Sequence, residues 1–254
     1  MNTEDRRKSI IDYLQYHPNC SVNQIIALFD VAPATVRRDL THLEQDGQIQ
    51  RTYGQIHLKQ SRPPSDFHTR AQKFSAEKRE IACAAVRFIQ PRDCVAIDSG
   101  TTAYAVAEQI FRMNNNVTIV TNSLSVATAQ LSTHKVILSG GVVDPDNLAL
   151  IGPDVESFFE RISASVAFIG TTGIRSDAGP TVISPFFAGI KRKIMACAQK
   201  KILIFDNSKI MPVGTFVFAD YSEFDAIIVS RPLTDEALLR KLDESGVPVI
   251  VASA

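Results

Sequence analysis

One stretch near the start of the chain decides how the rest is interpreted: Ala32-Pro33-Ala34-Thr35-Val36-Arg37-Arg38-Asp39-Leu40-Thr41-His42-Leu43. On a helix, at about 100° per residue, this stretch divides into two faces. Val36, Leu40 and Leu43 form an apolar stripe, which predicts a buried face. The opposite face carries small, hydroxyl-bearing and polar side chains, namely Ala34, Thr35, Arg38, Thr41, His42 and Gln45, with Arg37 at its margin.

The polar face has the composition that suits a DNA major groove. Arginine recognises guanine edges and phosphates, hydroxyl groups bind bases and backbone oxygens, and alanine permits close approach. The alternative is the solvated face of an ordinary helix, with Arg37 and Arg38 in surface ion pairs with Asp39 or Glu44. The stretch alone does not separate these two interpretations, so the neighbouring segments decide between them.

The segments on either side complete a module of three helices. Residues 4–16 carry an apolar stripe at helical spacing, which His17-Pro18-Asn19 interrupts. Ser21-Val22-Asn23-Gln24 is a capping box, so a second helix begins there. Pro33 suits the first position of the third helix, and Asp46-Gly47 ends that helix.

A hairpin is predicted after the third helix, because two short alternating runs, 49–53 and 55–58, flank Gly54. Three helices and a hairpin within residues 1–58 predict an α+β winged helix-turn-helix domain. In that motif the third helix enters the major groove and the wing touches flanking phosphates, the latter through Arg51. The predicted DNA contacts are Ser21, Ala34, Thr35, Arg37, Arg38, Thr41, His42 and Arg51.

The bulk composition excludes several classes of protein. The 27 basic and 27 acidic residues cancel, so net charge gives no sign of a nucleic-acid partner. Residues 1–60 also balance, which counts modestly against DNA binding. The four cysteines are scattered without a CxxC pair, which predicts neither a metal site nor a disulfide framework. With no apolar leader or bilayer-length run, we expect a soluble, cytoplasmic protein without a membrane partner.

Residues 59–74 are predicted to form an exposed linker, because they combine Pro63, Pro64 and several charges with few apolar anchors. From residue 75 the pattern alternates helical stripes with runs of β-branched residues. Seven apolar runs predict strands, at 95–98, 117–120, 136–138, 166–169, 202–205, 226–229 and 247–251. Continuous apolar strands separated by helices indicate a parallel sheet covered on both faces. Residues 75–254 are therefore predicted to be a Rossmann-like α/β domain.

Small polar residues directly follow five of these strands, where ligands bind in parallel sheets. Glycines allow a ligand close to the backbone, and hydroxyls and free helix N-terminal amides donate to anions. Lys209 adds a positive charge, so we expect a phosphorylated, hydroxyl-rich ligand; for 99–102 alone, a simple helix cap is an equal alternative. The predicted effector-binding residues are Asp98, Ser99, Gly100, Thr101, Thr102, Thr121, Asn122, Ser123, Gly140, Gly141, Gly170, Thr171, Asp206 and Lys209.

Two sets of residues together resemble a known family. In the first domain they are Arg6, Ile10, Leu14, residues 34–40, Leu43, Gly47 and Arg51. In the second they are Lys78, Ile81-Ala82, residues 98–102, residues 121–123, Gly140-Gly141, Gly173-Ile174, Lys191-Arg192 and residues 206–209. Both sets resemble the DeoR family of bacterial transcription regulators. The resemblance implies that phosphate binds at 100–102, that Asp206 and Lys209 line the same pocket, and that the second domain is similar to the ribose-5-phosphate isomerase fold.

The chain departs from the family pattern at several positions. Ala32 stands where the family usually has Ser, so the third helix lacks a side-chain cap, a loss of about 1 kcal/mol. Gly54-Gln55 replaces Gly-Gly in the wing, and Val229-Ser230 replaces Thr-Asp. Phe187, in the apolar run 184–187, stands where Glu is common. This last difference implies that the sugar end of the ligand differs from that of relatives.

A sugar-phosphate isomerase with an attached DNA-binding module is the rival hypothesis. Isomerisation needs a carboxylate base, for which Asp98, Asp177 and Asp206 are candidates, with Lys209 to polarise a carbonyl. The loop after Gly173 lacks the glycine-rich, acid-containing lysine motif of ribose-5-phosphate isomerases. We therefore favour a sensor without turnover, with no catalytic residue, cofactor or metal.

A winged-helix module used only for protein contacts is a third hypothesis. It would leave Arg37, Arg38 and Arg51 without a reason to cluster. The sequence therefore predicts a homo-oligomeric (dimeric or tetrameric) transcription regulator, a repressor of sugar-uptake or catabolic genes. It would bind repeated half-sites in double-stranded operator DNA under the control of a phosphorylated sugar.

Overall fold

The computed structural model describes residues 3–16, 20–29, 31–46, 49–52, 55–58, 67–113, 116–129, 134–211 and 213–252. The chain divides into two compact units, Met1–Ser65 and Asp66–Ala254. Among these residues, no helix combines the length and the apolar composition needed to cross a membrane.

The first unit contains three helices and a small antiparallel sheet. Its elements are α1 (Thr3–Tyr16), β1 (Cys20–Ser21), α2 (Val22–Ala27), α3 (Pro33–Gln45), β2 (Ile49–Thr52) and β3 (Gln55–Leu58). Strands β2 and β3 form the predicted hairpin, with Ile49 opposite Leu58; the predicted turn residues 53 and 54 lie outside the described residues. Strand β1, which the sequence did not predict, pairs with the other edge of β3.

The predicted helix starts of this unit are confirmed. At the start of α2, the Gln24 amide donates to Ser21 Oγ (3.3 Å) and the Ser21 amide donates to Gln24 Oε1 (2.7 Å), which completes the capping box. Helix α3 begins at Pro33, and Ala32 supplies no side-chain cap. The helices and strands bury a shared core that consists of Ile10, Leu14, Cys20, Ile25, Val36, Leu40, Leu43, Ile49 and Ile56.

The interpretation of 59–74 as an exposed linker needs a correction. Residues 59–66 lie outside the described residues, but Phe67–Gln72 form helix α4 of the second unit. Phe67 is only 2% exposed and packs edge-on against Tyr104, with ring centroids 5.5 Å apart. One aromatic anchor in a charged segment has no periodicity, so the sequence pattern did not indicate this helix.

The second unit is built on a parallel sheet of seven strands within the described residues. Its further helices are α5 (Ser75–Ala85), α6 (Thr101–Phe111), α7 (Leu124–Thr128), α8 (Pro153–Glu160), α9 (Pro185–Ala196) and α10 (Glu236–Ser245). Its strands are β4 (Cys94–Ile97), β5 (Thr118–Thr121), β6 (Lys135–Leu138), β7 (Val142–Asp144), β8 (Ala149–Ile151), β9 (Ala164–Ile169), β10 (Gly173–Arg175), β11 (Gly179–Val182), β12 (Ala198–Phe205), β13 (Phe216–Val217), β14 (Ala226–Val229) and β15 (Val249–Val251).

The seven predicted strands all lie in that sheet, in the order β15-β14-β12-β9-β4-β5-β6, and every neighbouring pair is parallel. Alternate residues of β4, β12 and β14 belong to different cores. In β4, for example, Val95 and Ile97 lie in the core that includes α5 and α6, whereas Ala96 lies in the core that includes α8, α9 and α10. The prediction of a sheet covered on both faces is therefore confirmed.

Two antiparallel additions were not predicted. Strands β7 and β8 form a hairpin, and β10, β11 and β13 form a separate sheet. Because β7 follows β6 and β10 follows β9, both additions start from the carboxyl edge of the main sheet. This is the edge at which the ligand was predicted to bind.

Candidate functional site

The exposed side of α3 is the candidate DNA interface of the first unit. Val36, Leu40 and Leu43 are buried, as their stripe predicted. Ala34, Arg37, Arg38 and His42 are exposed, and Thr35 and Thr41 are half-buried. The predicted division of this helix into two faces is therefore confirmed, while the DNA contacts themselves stay a prediction.

A buried ion pair fixes the orientation of α3. Asp39 is 2% exposed and accepts hydrogen bonds from the Nε atoms of Arg6 (2.6 Å) and Arg7 (3.0 Å) of α1. Breaking a buried pair by removing one partner typically costs about 3–5 kcal/mol. No local pattern indicates this contact, because its members stand more than thirty residues apart in the chain.

This pairing leaves Arg37 and Arg38 available to a ligand. The two acids proposed as their surface partners are already engaged: Asp39 with α1, and Glu44 with Arg51. Within the described ranges, neither guanidinium group makes a hydrogen bond or ion pair with another part of the chain. The interpretation of an ordinary ion-paired face therefore does not fit α3.

Arg51, the predicted phosphate contact of the wing, binds to α3 instead. Its Nε donates to Glu44 Oε2 (2.8 Å), its amide donates to Glu44 Oε1 (3.1 Å) and its Nη2 donates to Thr41 Oγ1 (3.2 Å). The guanidinium lowers the pKa of the Glu44 carboxyl. These bonds fasten β2 to α3, so a DNA phosphate would have to compete with Glu44 for Arg51.

Three more of the predicted DNA contacts have bonds within the first unit. Ser21 caps α2, the Thr41 hydroxyl donates to the Arg37 carbonyl (2.9 Å), and His42 Nδ1 lies 2.8 Å from Asp46 Oδ2. Their roles toward DNA stay predictions. Arg37 and Arg38 are better supported as DNA contacts, because their guanidinium groups have no such bonds among the described residues.

In the second unit, Asp98 holds two loops together. One carboxylate oxygen accepts from the Gly100 amide (2.5 Å), and the other accepts from the Gly170 amide (2.7 Å) and from the Lys191 ammonium. Asp98 is 1% exposed and Lys191 is 6% exposed. Because both of its oxygens are engaged, Asp98 positions the loops after β4 and β9, and it is not a free base.

The sequence points to Lys191, on α9, only through the resemblance to the family. It is the buried cation that balances Asp98, and its Nζ lies 5.6 Å from the centroid of the Phe218 ring. Phe187 stands one helical turn earlier and is half-buried against the apolar cluster of the same face. The expectation that Phe187 influences ligand choice stays a prediction.

The loop that leads into α6 forms a candidate anion cradle. Gly100 is the N-cap without a side-chain hydrogen bond, and the first bond of the helix runs from the Tyr104 amide to the Gly100 carbonyl (2.8 Å). The first amides of a helix have no acceptor within the helix and attract anions. A Cβ at Gly100 would lie 2.9 Å from Asp98 Oδ1, so a larger residue here would displace the Asp98 carboxylate. Thr101 and Thr102 are both buried beside it.

Asp206 and Lys209, which follow β12, lie beside Lys78 of α5. Asp206 Oδ1 accepts from the Ser208 amide (3.1 Å) and hydroxyl, whereas its buried Oδ2 has no partner among the described residues. Burial lowers the pKa of Lys209 and lowers that of Lys78 to about 8, although the Asp206 charge raises both. In the part of the chain that the structure describes, the Lys209 ammonium makes no hydrogen bond or ion pair.

Two further basic residues face this pair of lysines. Arg70 lowers the pKa of both Lys78 and Lys209, and Lys73 lowers that of Lys209. We call Arg70, Lys73, Lys78 and Lys209 the cation cluster. Of these four cations, Lys78 and Lys209 interact with the carboxylate of Asp206. The sequence had predicted only Lys209, because Lys78 lies far away in the chain and the other two were assigned to the linker.

Three predicted effector-binding hydroxyls support the fold itself. Thr121 Oγ1 donates to the Ile97 carbonyl (2.6 Å), and Ser123 Oγ caps α7 by accepting from the Val126 amide (3.3 Å). Thr171 Oγ1 lies 2.8 Å from the Gly173 carbonyl oxygen. Gly141, also predicted as a ligand contact, has a φ of +127°, and its Cβ would lie 2.8 Å from the Ile151 carbonyl oxygen. Each of these residues therefore has a structural role, whatever it does toward a ligand.

Other polar atoms at the ends of β5 and β6 are buried and unsatisfied. Asn122 Nδ2 donates to the Leu150 carbonyl (2.9 Å), but Asn122 Oδ1 has no partner among the described residues. The same holds for Ser125 Oγ and Ser139 Oγ. The Ser139 amide donates to the Thr121 carbonyl (2.9 Å), which places Ser139 beside the end of β5. Ser125 and Ser139 were not among the predicted site residues.

The remaining acid proposed for an isomerase has another partner. Asp177 lies between β10 and β11 and forms an exposed ion pair with Arg175 (2.8 Å). Asp206 is thus the only one of the three candidate acids with an unbonded oxygen among the described residues.

The first unit is a helix-turn-helix domain with two available arginines, and the second is an α/β domain with a cation cluster at the edge of its sheet. This combination defines a DNA-binding regulator with a sensor domain. Comparison with known proteins gives the family. The family model for the DeoR-like helix-turn-helix domain matches residues 6–62, and that for the DeoR C terminal sensor domain matches residues 73–231. The chain belongs to the DeoR family of transcription regulators.

Individual relatives extend over almost the whole chain. A putative aga operon transcriptional repressor of Escherichia coli O157:H7 is 30% identical over 98% of this chain and 94% of that protein. The transcriptional repressor GlcR of Bacillus subtilis is 30% identical over 99% of this chain and 97% of its own. Both are regulators, and the matched family models describe regulatory domains, so the isomerase hypothesis is set aside.

Among solved structures, ribose 5 phosphate isomerase A from Neisseria gonorrhoeae aligns with 53% of this chain and 53% of its own. The TM-score is 0.36 and the identity is 16%. This likeness is too low to support an argument about ligand or activity.

Proposed function

We propose that this DeoR-family protein is a cytoplasmic, homo-oligomeric repressor of genes for sugar uptake or catabolism. In this proposal the α3 face binds double-stranded operator DNA, and a phosphorylated sugar binds at the carboxyl edge of the sheet in the second unit. The two relatives described above are both named repressors, which supports this direction of control.

The cation cluster carries the proposal. Burial penalises the charges of both Lys78 and Lys209; Asp206 is the carboxylate that acts on both lysines, and Glu77 acts on Lys78. Unpaired buried charges are costly, so a site with surplus positive charge favours a bound anion. A phosphate dianion between Lys209 and the first amides of α6 would neutralise that surplus.

The unsatisfied atoms at the ends of β5 and β6 support a sugar rather than a bare anion. A buried donor or acceptor without a partner costs about 1–3 kcal/mol. Hydroxyl groups of a bound sugar can bond to Asn122 Oδ1, Ser125 Oγ and Ser139 Oγ, which recovers that energy. The proposed site therefore has a cationic end beside β12 and a neutral polar end beside β5 and β6.

For the DNA, the proposal rests on Arg37 and Arg38. Two copies of α3 in an oligomer would bind half-sites about one helical turn, or a multiple of it, apart. The guanidinium groups would bind phosphates or guanine edges, and Ala34 would allow close approach.

A mobility-shift assay on DNA upstream of its own and neighbouring genes, repeated with a panel of sugar phosphates, tests the proposal. We expect one DNA fragment to be bound and one class of sugar phosphate to release it. Lys209→Met should abolish the response while DNA binding persists, and Lys200→Met, at an exposed lysine of β12, should respond normally. Binding that no sugar phosphate alters, or a Lys209→Met protein that responds like the parent, would contradict the proposal.

A further inference from the structure

Helix α4 contacts three separate elements around the proposed ligand site, which we call the sensor site. The Lys78 ammonium donates to the carbonyls of Arg70 and Lys73, the latter at 2.6 Å, and so holds the C-terminal end of α4. Arg70 Nη2 donates to Asn147 Oδ1 (2.7 Å), in the turn of the β7–β8 hairpin. Phe67 packs on Tyr104, in the first turns of α6. These contacts place α4 along the edge of the sheet that holds the proposed ligand site.

The helix depends on those contacts for its stability. It has six residues, and a helix of that length is not stable alone in water. Of its side chains, only Phe67 is buried. Segments with few buried apolar contacts open at a lower free energy than the core around them. We therefore expect α4 to undock more readily than the parallel sheet unfolds.

Docking of α4 also has an electrostatic cost that an anion removes. The docked helix brings Arg70 toward Lys78 and Lys209 and brings Lys73 toward Lys209, and these like charges lower the pKa of the two buried lysines. The Asp206 carboxylate opposes this effect at both lysines, and Glu77 opposes it at Lys78. An anion bound beside Lys78 and Lys209 attracts Arg70 and Lys73 of the α4 segment. That attraction stabilises only the docked form of α4, because only docking brings these two residues close to the anion. Such a difference in affinity between two states is what a ligand needs in order to shift their populations.

We propose that α4 is a strap that an anion in the sensor site holds in its docked position, and that docking transmits ligand binding toward the DNA-binding unit. This inference rests on the proposed function, because it requires an anion at that site. Chain connectivity supports this transmission, because α4 is the first described element of the second unit and residues 59–66 precede it directly in the chain. Lys78 joins the strap to the site, since its ammonium both bonds to α4 and lies beside Lys209.

Hydrogen–deuterium exchange on the full chain tests the strap, with inorganic phosphate as the probe and chloride at equal ionic strength as the control. Phosphate should slow amide exchange in residues 99–102 and in residues 67–73, the latter by roughly tenfold, within the range of allosteric couplings. Lys78→Met removes both a charge of the cation cluster and the bond to α4, so it should weaken phosphate binding. At a phosphate concentration high enough to restore protection of 99–102 in this variant, protection of 67–73 should still be lost. Lys200→Met serves as the matched control.

Phe67→Ala provides a second variant that leaves every charge in place. It should raise exchange in 67–73 without phosphate and weaken the effect of the sugar phosphate on DNA binding. Protection of 99–102 without protection of 67–73 would overturn the strap and leave the anion site intact. Protection of neither segment would overturn the site and the strap together. Equal protection of 67–73 in the parent protein and in Lys78→Met would also overturn the strap.

Discussion

The buried carboxylate of Asp98 and the buried ammonium of Lys191 form an ion pair that joins the loop after β4 to helix α9. These residues stand 93 positions apart in the chain. The same carboxylate holds the amides of Gly100 and Gly170, so a single pair fixes two loops of the proposed ligand site.

Asp98→Asn should destabilise the second unit by about 3–5 kcal/mol, because it leaves the Lys191 charge buried and unpaired. Chemical denaturation followed by circular dichroism measures the change. Asp154→Asn, at an exposed carboxylate, is the control and should have little effect. Adding Lys191→Met to Asp98→Asn should restore part of the loss; if the double variant is no more stable than the single one, the ion pair is not the cause.

Arg38→Ala and Arg37→Ala should weaken operator binding without changing the stability of the first unit, since both side chains are exposed and lack partners in the described residues. Titrations over a range of salt concentrations separate two roles. Loss of a phosphate contact should reduce the slope of log affinity for DNA against log salt concentration by about one. Loss of a base contact should instead relax the preference for the operator sequence. Arg87→Ala, at an exposed arginine of the second unit, should do neither. Unchanged affinity in both α3 variants would remove this face from the interface.

Affinity for a phosphate ester should fall as pH rises through about 8, the pKa of Lys78 in the free protein. The reason is that the anion prefers the protonated ammonium, while the ester stays a dianion well above its second pKa of about 6. Asp206 and Glu77 raise the pKa of Lys78, and Lys209 and Arg70 lower it. Lys209, whose pKa is also lowered, contributes in the same direction.

Calorimetric titration at several pH values checks this dependence, and Lys78→Arg should flatten it because arginine does not titrate there. A pH profile that Lys78→Arg leaves unchanged would assign the dependence to another group. The same shift has a consequence for stability. Because the pKa of Lys78 is lower in the folded protein than its ordinary 10.5, the unfolded chain binds more protons between these values, and the free unit should become more stable as pH rises from about 8 toward 10.5.

Glu44→Gln should raise the affinity for DNA if Arg51 is the phosphate contact of the wing. The substitution removes the carboxylate that holds the guanidinium against α3, so Arg51 becomes available to a phosphate. Arg51→Ala should then lower affinity more in the Glu44→Gln background than in the parent, as measured by fluorescence anisotropy with labelled operator. If Arg51→Ala has no effect in either background, Arg51 serves only to fasten β2 to α3.

Much of the fold was predictable because its signals are local. The stripe of Val36, Leu40 and Leu43 specified the buried face of α3, since side-chain direction along a helix follows from residue spacing. The seven β-branched runs specified the strands, and the helical stripes between them specified parallel pairing. The same logic located the candidate site, because polar residues that end parallel strands lie along one edge.

The sequence by itself therefore determined the two domain types, the outward side of the recognition helix and the edge of the sheet where a ligand is expected to bind. The tertiary structure alone decided which charges are engaged and which are available. It paired Asp39 with Arg6, Glu44 with Arg51 and Asp98 with Lys191, and it brought Lys78 and helix α4 to Lys209. The physical reason is that periodicity records how each segment is oriented toward a core, whereas the partner of a charge depends on packing between segments that are distant along the chain.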